Sequence, residues 1–115
     1  MKASTTRMSL DYLRDLGYVV DVVERWVPGA AGVQVRKDLF GFLDLVAIRD
    51  GETLGVQTTT KGMLATRVRK ITASPLYPIV LGAGWRIVVH GWHQPRGPRT
   101  RYECVEMTVG EPVDV

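Results

Sequence analysis

An aspartate stands inside an apolar run where a charged side chain is costly. Asp44 interrupts the segment Phe42 to Arg49, whose sequence FLDLVAIR is otherwise typical of a buried strand. Burying an unpaired charge costs several kcal/mol, roughly, so a carboxylate at this position needs a cation or a hydrogen-bond donor beside it. We therefore expect Asp44 either to serve as a metal-binding or catalytic group, or to accept a hydrogen bond from Gln57 or from a loop amide.

A hairpin turn determines what faces Asp44. The dipeptide Asp50-Gly51 is typical of a two-residue turn, and the returning segment Leu54 to Thr60 has the composition of a second strand. With this turn, Asp44 lies opposite Gln57 on the same face of the strand pair. A carboxylate and an amide oxygen are ligands that hard divalent cations prefer, and Mg²⁺ commonly takes one or two carboxylates together with water. The spacing therefore predicts a site for Mg²⁺, or for Mn²⁺.

Helices and further strands must hold this pair in place. Ser4-Thr5-Thr6 offers N-caps for a first helix at about Arg7 to Leu16, and an apolar stripe at helical spacing predicts a second helix over Gly62 to Ala73. Other apolar or alternating segments predict strands at Tyr18 to Val27, Trp85 to His90 and Arg101 to Val109. Two segments stay undecided: Val33 to Gly41, which is less clear and could be extended and partly ordered, and Leu76 to Leu81, which could be a short helix or a turn. The order predicts an α/β fold, with a mixed central sheet flanked by helices.

Charge is distributed unevenly along the chain. The formal net charge is only +3, yet the stretch from Thr53 to Tyr102 contains no Asp or Glu and eight Lys and Arg residues. Such a stretch predicts a basic surface that attracts polyphosphates, and nucleic acid above all; the alternative is a solvated face without a ligand. The candidates for phosphate contact are Arg36, Lys37, Arg67, Arg69, Lys70, Arg96, Arg99 and Arg101.

The bulk composition narrows the class of protein. A chain of 115 residues with 45% hydrophobic residues fits one domain, spanning residues 1–115. The sequence has no apolar stretch of the roughly 18 residues that a membrane helix needs, and no secretory signal follows Met1. The single cysteine, Cys104, forms no internal disulfide. We expect a cytoplasmic protein with no membrane partner.

The strand pair and the order of elements carry a resemblance to a known family. An acid at the start of the second strand, followed by a hairpin to Glu or Gln, any residue and Lys on the third, resembles the PD-(D/E)XK nuclease superfamily. The segment RKDLFGFLDLVAI followed by LGVQTTT is similar to the small phage and archaeal-type Holliday junction resolvase-like nucleases. The resemblance covers about Thr5 to Trp92. It implies the core order helix, three strands, helix, strand.

This resemblance implies roles for individual residues. Asp44 would be the metal-binding aspartate, Gln57 would take the place usually held by Glu, and the backbone carbonyl of Thr58 would be a further metal ligand. In the family the metal activates a water that attacks a phosphodiester in line. The resemblance thus implies a Mg²⁺-dependent or Mn²⁺-dependent DNA endonuclease acting on duplex or branched DNA. A homodimer would suit a branched junction with two strands to cut.

The sequence departs from the family's motif at one catalytic position. Thr59 stands where the motif has a lysine, which positions the attacking water and offsets negative charge in the transition state. Lys61 has the same strand parity as Gln57 and is the first candidate to replace that lysine, if the strand continues. Lys70 and then Arg67 follow, because either could enter from the next helix.

A further acid is usual in the family, and Glu24 is the stronger candidate for it. On a strand, Glu24 would share a face with Trp26 and two valines, an unusual place for a solvated carboxylate. A salt bridge to a nearby arginine is the alternative. Asp11 and Asp15 lie on one face of the first helix, which favours a solvated face. For Trp92, burial in the core is favoured over stacking on a base.

Three hypotheses follow from these observations. The first is a metal-dependent endonuclease. The second is a catalytically weak or inactive relative that binds DNA without cutting it, a reading supported by Thr59. The third is a protein-interaction module whose basic surface meets an acidic partner. Salt-sensitive DNA binding separates the first two from the third.

Overall fold

The computed structural model describes residues 4–110. The helices are α1 (Thr5–Asp15), α2 (Leu64–Thr72) and α3 (Tyr77–Gly82). The strands are β1 (Val19–Val22), β2 (Arg25–Pro28), β3 (Gln34–Lys37), β4 (Leu45–Arg49), β5 (Glu52–Thr60), β6 (Arg86–His93) and β7 (Glu103–Gly110). The predicted domain also includes residues 1–3 and 111–115, which lie outside the described part. None of the described helices is long and apolar enough to cross a membrane.

Five strands form one mixed sheet, which confirms the predicted α/β class. The strand order is β1-β4-β5-β6-β7, and only β5 and β6 run parallel. Alternate residues of β6 enter two separate cores: Val88 packs with residues of α1, whereas Ile87 and Val89 pack with residues of α2 and α3. Because successive residues of a strand point to opposite faces, helices cover both faces of the sheet.

The start of the chain folds as its sequence predicts. The Ser4 hydroxyl caps α1 by accepting a hydrogen bond from the Arg7 amide at 3.3 Å. Leu10 and Leu13 then bury the apolar face of α1 against the sheet. The helix begins two residues earlier and ends one residue earlier than expected, which is ordinary variation at helix ends.

A single strand over Tyr18 to Val27 was the expectation, and that prediction is wrong. The chain forms two short strands there, β1 in the main sheet and β2 in a separate antiparallel ribbon with β3. The physical reason is the length of the partner strand. Strand β4 begins at Leu45, and the last hydrogen bond between the two segments runs from the Val23 amide to the Asp44 carbonyl at 2.9 Å; beyond it the chain leaves the main sheet and pairs with β3.

The predicted hairpin between β4 and β5 is confirmed. Arg49 pairs with Glu52, and the register runs without a bulge to Leu45 opposite Val56. The strand that was expected to start at Phe42 starts at Leu45, however, because the preceding residues form a tight loop. In this loop Phe42 packs beneath α2 and α3 rather than in the sheet.

Helix α2 sits close against β6, and a glycine allows that approach. Gly91 of β6 has no side chain, and a Cβ placed there would lie 2.6 Å from Cγ of Leu64, the first residue of α2. Leu64 is 7% exposed, so it has little room to move. The position of α2 over the sheet therefore depends on Gly91.

We predict that Gly91→Ala lowers the free energy of unfolding by about 1–3 kcal/mol through overpacking. Gly62→Ala is the matched control, because a Cβ there meets nothing within 4 Å and its φ is unstrained. Urea unfolding followed by far-UV circular dichroism measures both variants. Equal stability of the two variants would show that the approach of α2 does not depend on Gly91.

Candidate functional site

A tight loop brings two aspartates next to each other. Leu39 and Leu43 form an isolated antiparallel bridge, with amide-to-carbonyl distances of 2.9 and 3.0 Å in the two directions. The turn between them requires positive φ values, 56° at Phe40 and 84° at Gly41. The residues just outside the bridge are Asp38 and Asp44, so the loop places them opposite each other.

Three carboxylates meet at this point. Glu24, Asp38 and Asp44 each place an oxygen within 4.8 Å of the others, and we call these three residues the acidic cluster. Glu24 comes from the junction between β1 and β2, which is where the chain leaves the main sheet. The side chains of Glu24 and Asp38 are 18% and 11% exposed, and Asp44 as a residue is 4% exposed. Sequence reasoning singled out Glu24 and Asp44 but missed Asp38.

The Asp44 carboxylate is held at the edge of the β4–β5 pair by the Thr58 amide, which donates to Oδ2 at 2.8 Å, while the Asp44 amide itself donates to the Val56 carbonyl at 2.9 Å. The buried Oδ1 has no hydrogen-bond donor among residues 4–110 other than the carboxyl of Asp38 when one of the two aspartates is protonated. The sequence analysis expected a bond from Gln57 or from a loop amide as the alternative to a metal, whereas the donor is an amide within strand β5; it satisfies only one of the two carboxylate oxygens. In the ionised cluster the other oxygen keeps its capacity to accept.

Gln57 shows the same half-satisfied pattern. Its side-chain amide donates to the Phe42 carbonyl at 2.8 Å, and its buried Oε1 has no hydrogen-bond partner within the described residues. Gln57 is 1% exposed. A buried acceptor without a donor is unfavourable by roughly 1–3 kcal/mol, so each of these two oxygens is available to a ligand.

The environment of Asp44 disfavours its charged form. Burial raises the pKa of this carboxyl from its usual 3.8 to about 7; the Thr58 amide opposes the shift, and the charge of Asp38, a side-chain hydrogen bond with Asp38 and the charge of Glu24 add to it. Perturbed carboxyls of this kind concentrate at functional sites, where a cation can replace the missing solvation.

One arginine partly neutralises the acidic cluster. Arg36 of β3 places guanidinium nitrogens 3.6 Å from Glu24 and 3.9 Å from Asp38. The predicted alternative for Glu24, an ion pair with a nearby arginine, is therefore present. Both contacts exceed hydrogen-bond length and the Arg36 side chain is 49% exposed, so the pairs contribute little to stability.

A basic groove borders the acidic cluster. Its volume is about 450 Å³, and its lining residues come from β3, the loop and α2: Arg36, Lys37, Asp38, Gly41, Arg67 and Lys70. The Nε atom of Arg67 is buried and donates no hydrogen bond to any residue of the described chain. We call this feature the basic groove. It combines one member of the acidic cluster with four cationic side chains.

Thr59, the position of the motif lysine, is the middle one of three threonines at the end of β5. Thr58 and Thr59 are buried, and the Thr58 hydroxyl lies 3.1 Å from that of Thr5 at the start of α1. The strand ends at Thr60, and Lys61 is an exposed residue in the 3₁₀ turn Lys61–Met63. The strand therefore does not continue to Lys61, and the parity argument that ranked Lys61 first loses its basis. Arg67 and Lys70 line the same groove as Asp38.

The remaining predicted phosphate contacts lie elsewhere. Arg69 is exposed on α2, where it donates to Thr66. Arg96 and Arg101 line a second groove of about 710 Å³ that is formed with α1, and Arg99 lies in the same connection between β6 and β7. The acid-free stretch thus supplies two surfaces rather than one. Asp11 of α1 is exposed and paired with Arg7, as expected of a solvated face.

Two aromatic residues of β6, His90 and Trp92, belong to the core. Trp92 is 7% exposed and donates to the Ser9 hydroxyl at 2.8 Å, which confirms the prediction that it is buried. His90 is fully buried between Ser9 and Glu106, at 3.0 Å from each. The hydrogen bond from His90 lowers the pKa of Glu106. This network joins α1 to β7.

The donor set of the acidic cluster fits a hard divalent cation. The three carboxylates are oxygen ligands, and the described residues add no cysteine or histidine to the cluster. Comparison of the chain with protein-family models, with curated proteins and with solved structures found no match. The geometry of the cluster and of the basic groove therefore carries the interpretation.

The raised pKa of Asp44 predicts a pH-dependent penalty in metal-free protein. The folded state holds the proton of Asp44 up to about pH 7, whereas the unfolded chain releases it near pH 4. Between these values the folded state binds more protons, so this group's contribution to stability is complete below pH 4 and is lost as pH rises to 7. In EDTA, Asp44→Asn should be more stable than wild type at pH 8, by a few kcal/mol at about 1.4 kcal/mol per pKa unit.

The measurement is urea unfolding of both proteins at several pH values from 4 to 8. Asp21→Asn, at an exposed position on β1, is the control and should track wild type throughout. A difference between Asp44→Asn and wild type that stays constant with pH would contradict the assignment.

Proposed function

We propose that this protein is a metal-dependent nuclease that hydrolyses phosphodiester bonds in DNA. The observation that carries the proposal is the acidic cluster itself, in which the buried Asp44 faces β5 and is joined by Asp38 and Glu24. The basic groove beside it provides the complementary charge for a phosphodiester backbone.

The arrangement of elements supports a PD-(D/E)XK core. If the β2–β3 ribbon is treated as an insertion, the elements follow one another as α1, three antiparallel strands, the crossover through α2 and α3, and the parallel strand β6. This is the order helix, three strands, helix, strand that the resemblance implies. The Asp44 and Gln57 positions then fall at the second and third strands of that core.

A Mg²⁺ or Mn²⁺ ion is the cofactor that the site fits. Asp44, Asp38 and Glu24 would hold it, and the unpartnered Oε1 of Gln57 is a further available ligand. When bound, such an ion polarises the phosphoryl oxygens and lowers the pKa of a water molecule. The ion also supplies the positive charge that keeps Asp44 ionised at neutral pH.

The protein's own cations bind and orient the substrate. Arg36, Lys37, Arg67 and Lys70 line one side of the acidic cluster, where they can contact phosphate oxygens on both sides of the bond to be cut. Arginine and lysine contacts to phosphates carry no sequence information. Recognition through the DNA backbone or through a branched shape follows from this lining.

Thr59 supports a second candidate function. The described end of β5 offers hydroxyls and no cation, so the motif lysine has no replacement within the strand. A chain with an intact groove and no cation at the attacking water would bind DNA without cutting it. Arg67 and Lys70 decide between the two functions.

The direct test is cleavage of branched, duplex and single-stranded DNA with Mg²⁺, Mn²⁺ or EDTA. We predict cleavage that requires metal, and loss of at least about 100-fold in single-turnover rate for Asp44→Asn, because a ligand carboxylate is removed. Asp21→Asn should cut at the wild-type rate.

Light scattering of the same samples reports whether the protein is the expected homodimer.

Three results separate the hypotheses. Metal-independent cleavage, or normal cleavage by Asp44→Asn, would contradict the site. Salt-sensitive DNA binding without cleavage of any substrate would favour the binding-only relative. Absence of DNA binding at low salt would leave a protein-interaction module.

We also predict that the cation that replaces the motif lysine comes from α2. Arg67→Met or Lys70→Met should lower the single-turnover rate by roughly 10–1,000-fold at saturating metal, since either side chain can offset charge on the phosphoryl oxygens. Lys61→Met is the matched control and should leave the rate unchanged. Normal rates in all three variants would refute a lysine replacement from α2.

A further inference from the structure

The β2–β3 ribbon carries a tryptophan that the fold does not bury. Trp26 is 66% exposed, whereas Trp92 is 7% exposed in the core. Large aromatic side chains dominate the energetics of cores and interfaces, and an isolated exposed tryptophan contributes nothing to this core. Trp26 has no ring contact with another described aromatic residue, unlike Phe40, which packs edgewise on Trp85 at 5.8 Å.

The ribbon places Trp26 beside the candidate site. Its partner across the ribbon is Arg36, the residue whose guanidinium lies 3.6 Å from Glu24. Directly paired residues of antiparallel strands have their Cβ atoms about 4.5–5.5 Å apart on one face. Trp26 therefore lies directly across the ribbon from Arg36, whose side chain contacts the acidic cluster and lines the basic groove.

The groove beside Trp26 favours a polyanion as its partner. Successive side chains of a strand point to opposite faces, so the ring shares its face with Arg36, whereas the next cross-strand pair, Arg25 with Lys37, points to the other face of the ribbon. Arg36 lines the basic groove, and a second copy of this chain placed there would bring two such grooves together, which is unfavourable. An aromatic ring beside a cationic groove is an arrangement that binds single-stranded nucleic acid, where bases stack on the ring and cations contact the backbone.

We infer that Trp26 stacks on an unpaired base of DNA whose backbone lies in the basic groove. The bases of an intact duplex cover one another's faces, so this contact is available only where a base is unpaired, as at a fork or a branch point. The inference rests on the proposed function and adds a substrate preference to it: DNA with unpaired bases beside the phosphate that lies at the acidic cluster.

The experiment compares a splayed fork with a fully paired duplex of the same length by fluorescence anisotropy in EDTA. Trp26→Ala should weaken fork binding roughly tenfold and duplex binding by less than about twofold, whereas Trp26→Phe stays within about threefold on both. Ile79→Ala is the matched control, because Ile79 is 64% exposed on α3 and should not affect binding. Quenching of tryptophan fluorescence by the fork should be lost in Trp26→Phe.

Each other outcome overturns a defined part of the account. If wild type binds both DNAs and Trp26→Ala leaves both affinities unchanged, or weakens both equally, the stacking inference is wrong and the proposed function stands. Dissociation of a wild-type dimer by Trp26→Ala, with fork binding unchanged, would assign the surface to a second copy. If wild type binds neither DNA, both the inference and the proposed function fail. Circular dichroism of each variant verifies its fold.

Discussion

The buried carboxylate of Asp44 is the constraint on which the rest of the site depends. It lies where β4 begins, and its single backbone hydrogen bond to Thr58 ties the loop to β5. Asp44 is 4% exposed and has two carboxylates beside it, so its ionised form is unfavourable without a cation. The Leu39–Leu43 bridge holds Asp38 and Asp44 next to each other at the two ends of one loop.

Part of the site was predictable because a strand has a fixed period. Once Asp50-Gly51 is a two-residue turn, alternation alone sets the register as far as Leu45 and Val56, and places Asp44 beside β5. Helices α1 and α2 followed from their apolar stripes and from the Ser4 cap. These features depend on local sequence, so the sequence suffices to find them.

The features that the sequence did not predict arise where the chain turns or where a strand ends. Asp38 reaches Asp44 only because Phe40, a residue without special preference for positive φ, adopts 56°. Likewise, the break between β1 and β2 arises because β4 is short, and the end of β5 at Thr60 removes Lys61 from the strand face. Each of these depends on how distant segments limit one another, which no local pattern encodes.

The position of metal in a crystal soaked with Mn²⁺ tests the central claim most directly. We expect an anomalous scattering peak about 2.0–2.3 Å from an Asp44 oxygen and within coordination distance of Asp38 or Glu24. Such a peak would account for the free oxygens of Asp44 and Gln57. A peak elsewhere would contradict the assignment of the acidic cluster as a metal site. So would a cluster that holds no Mn²⁺ at saturation and keeps its contacts with Arg36.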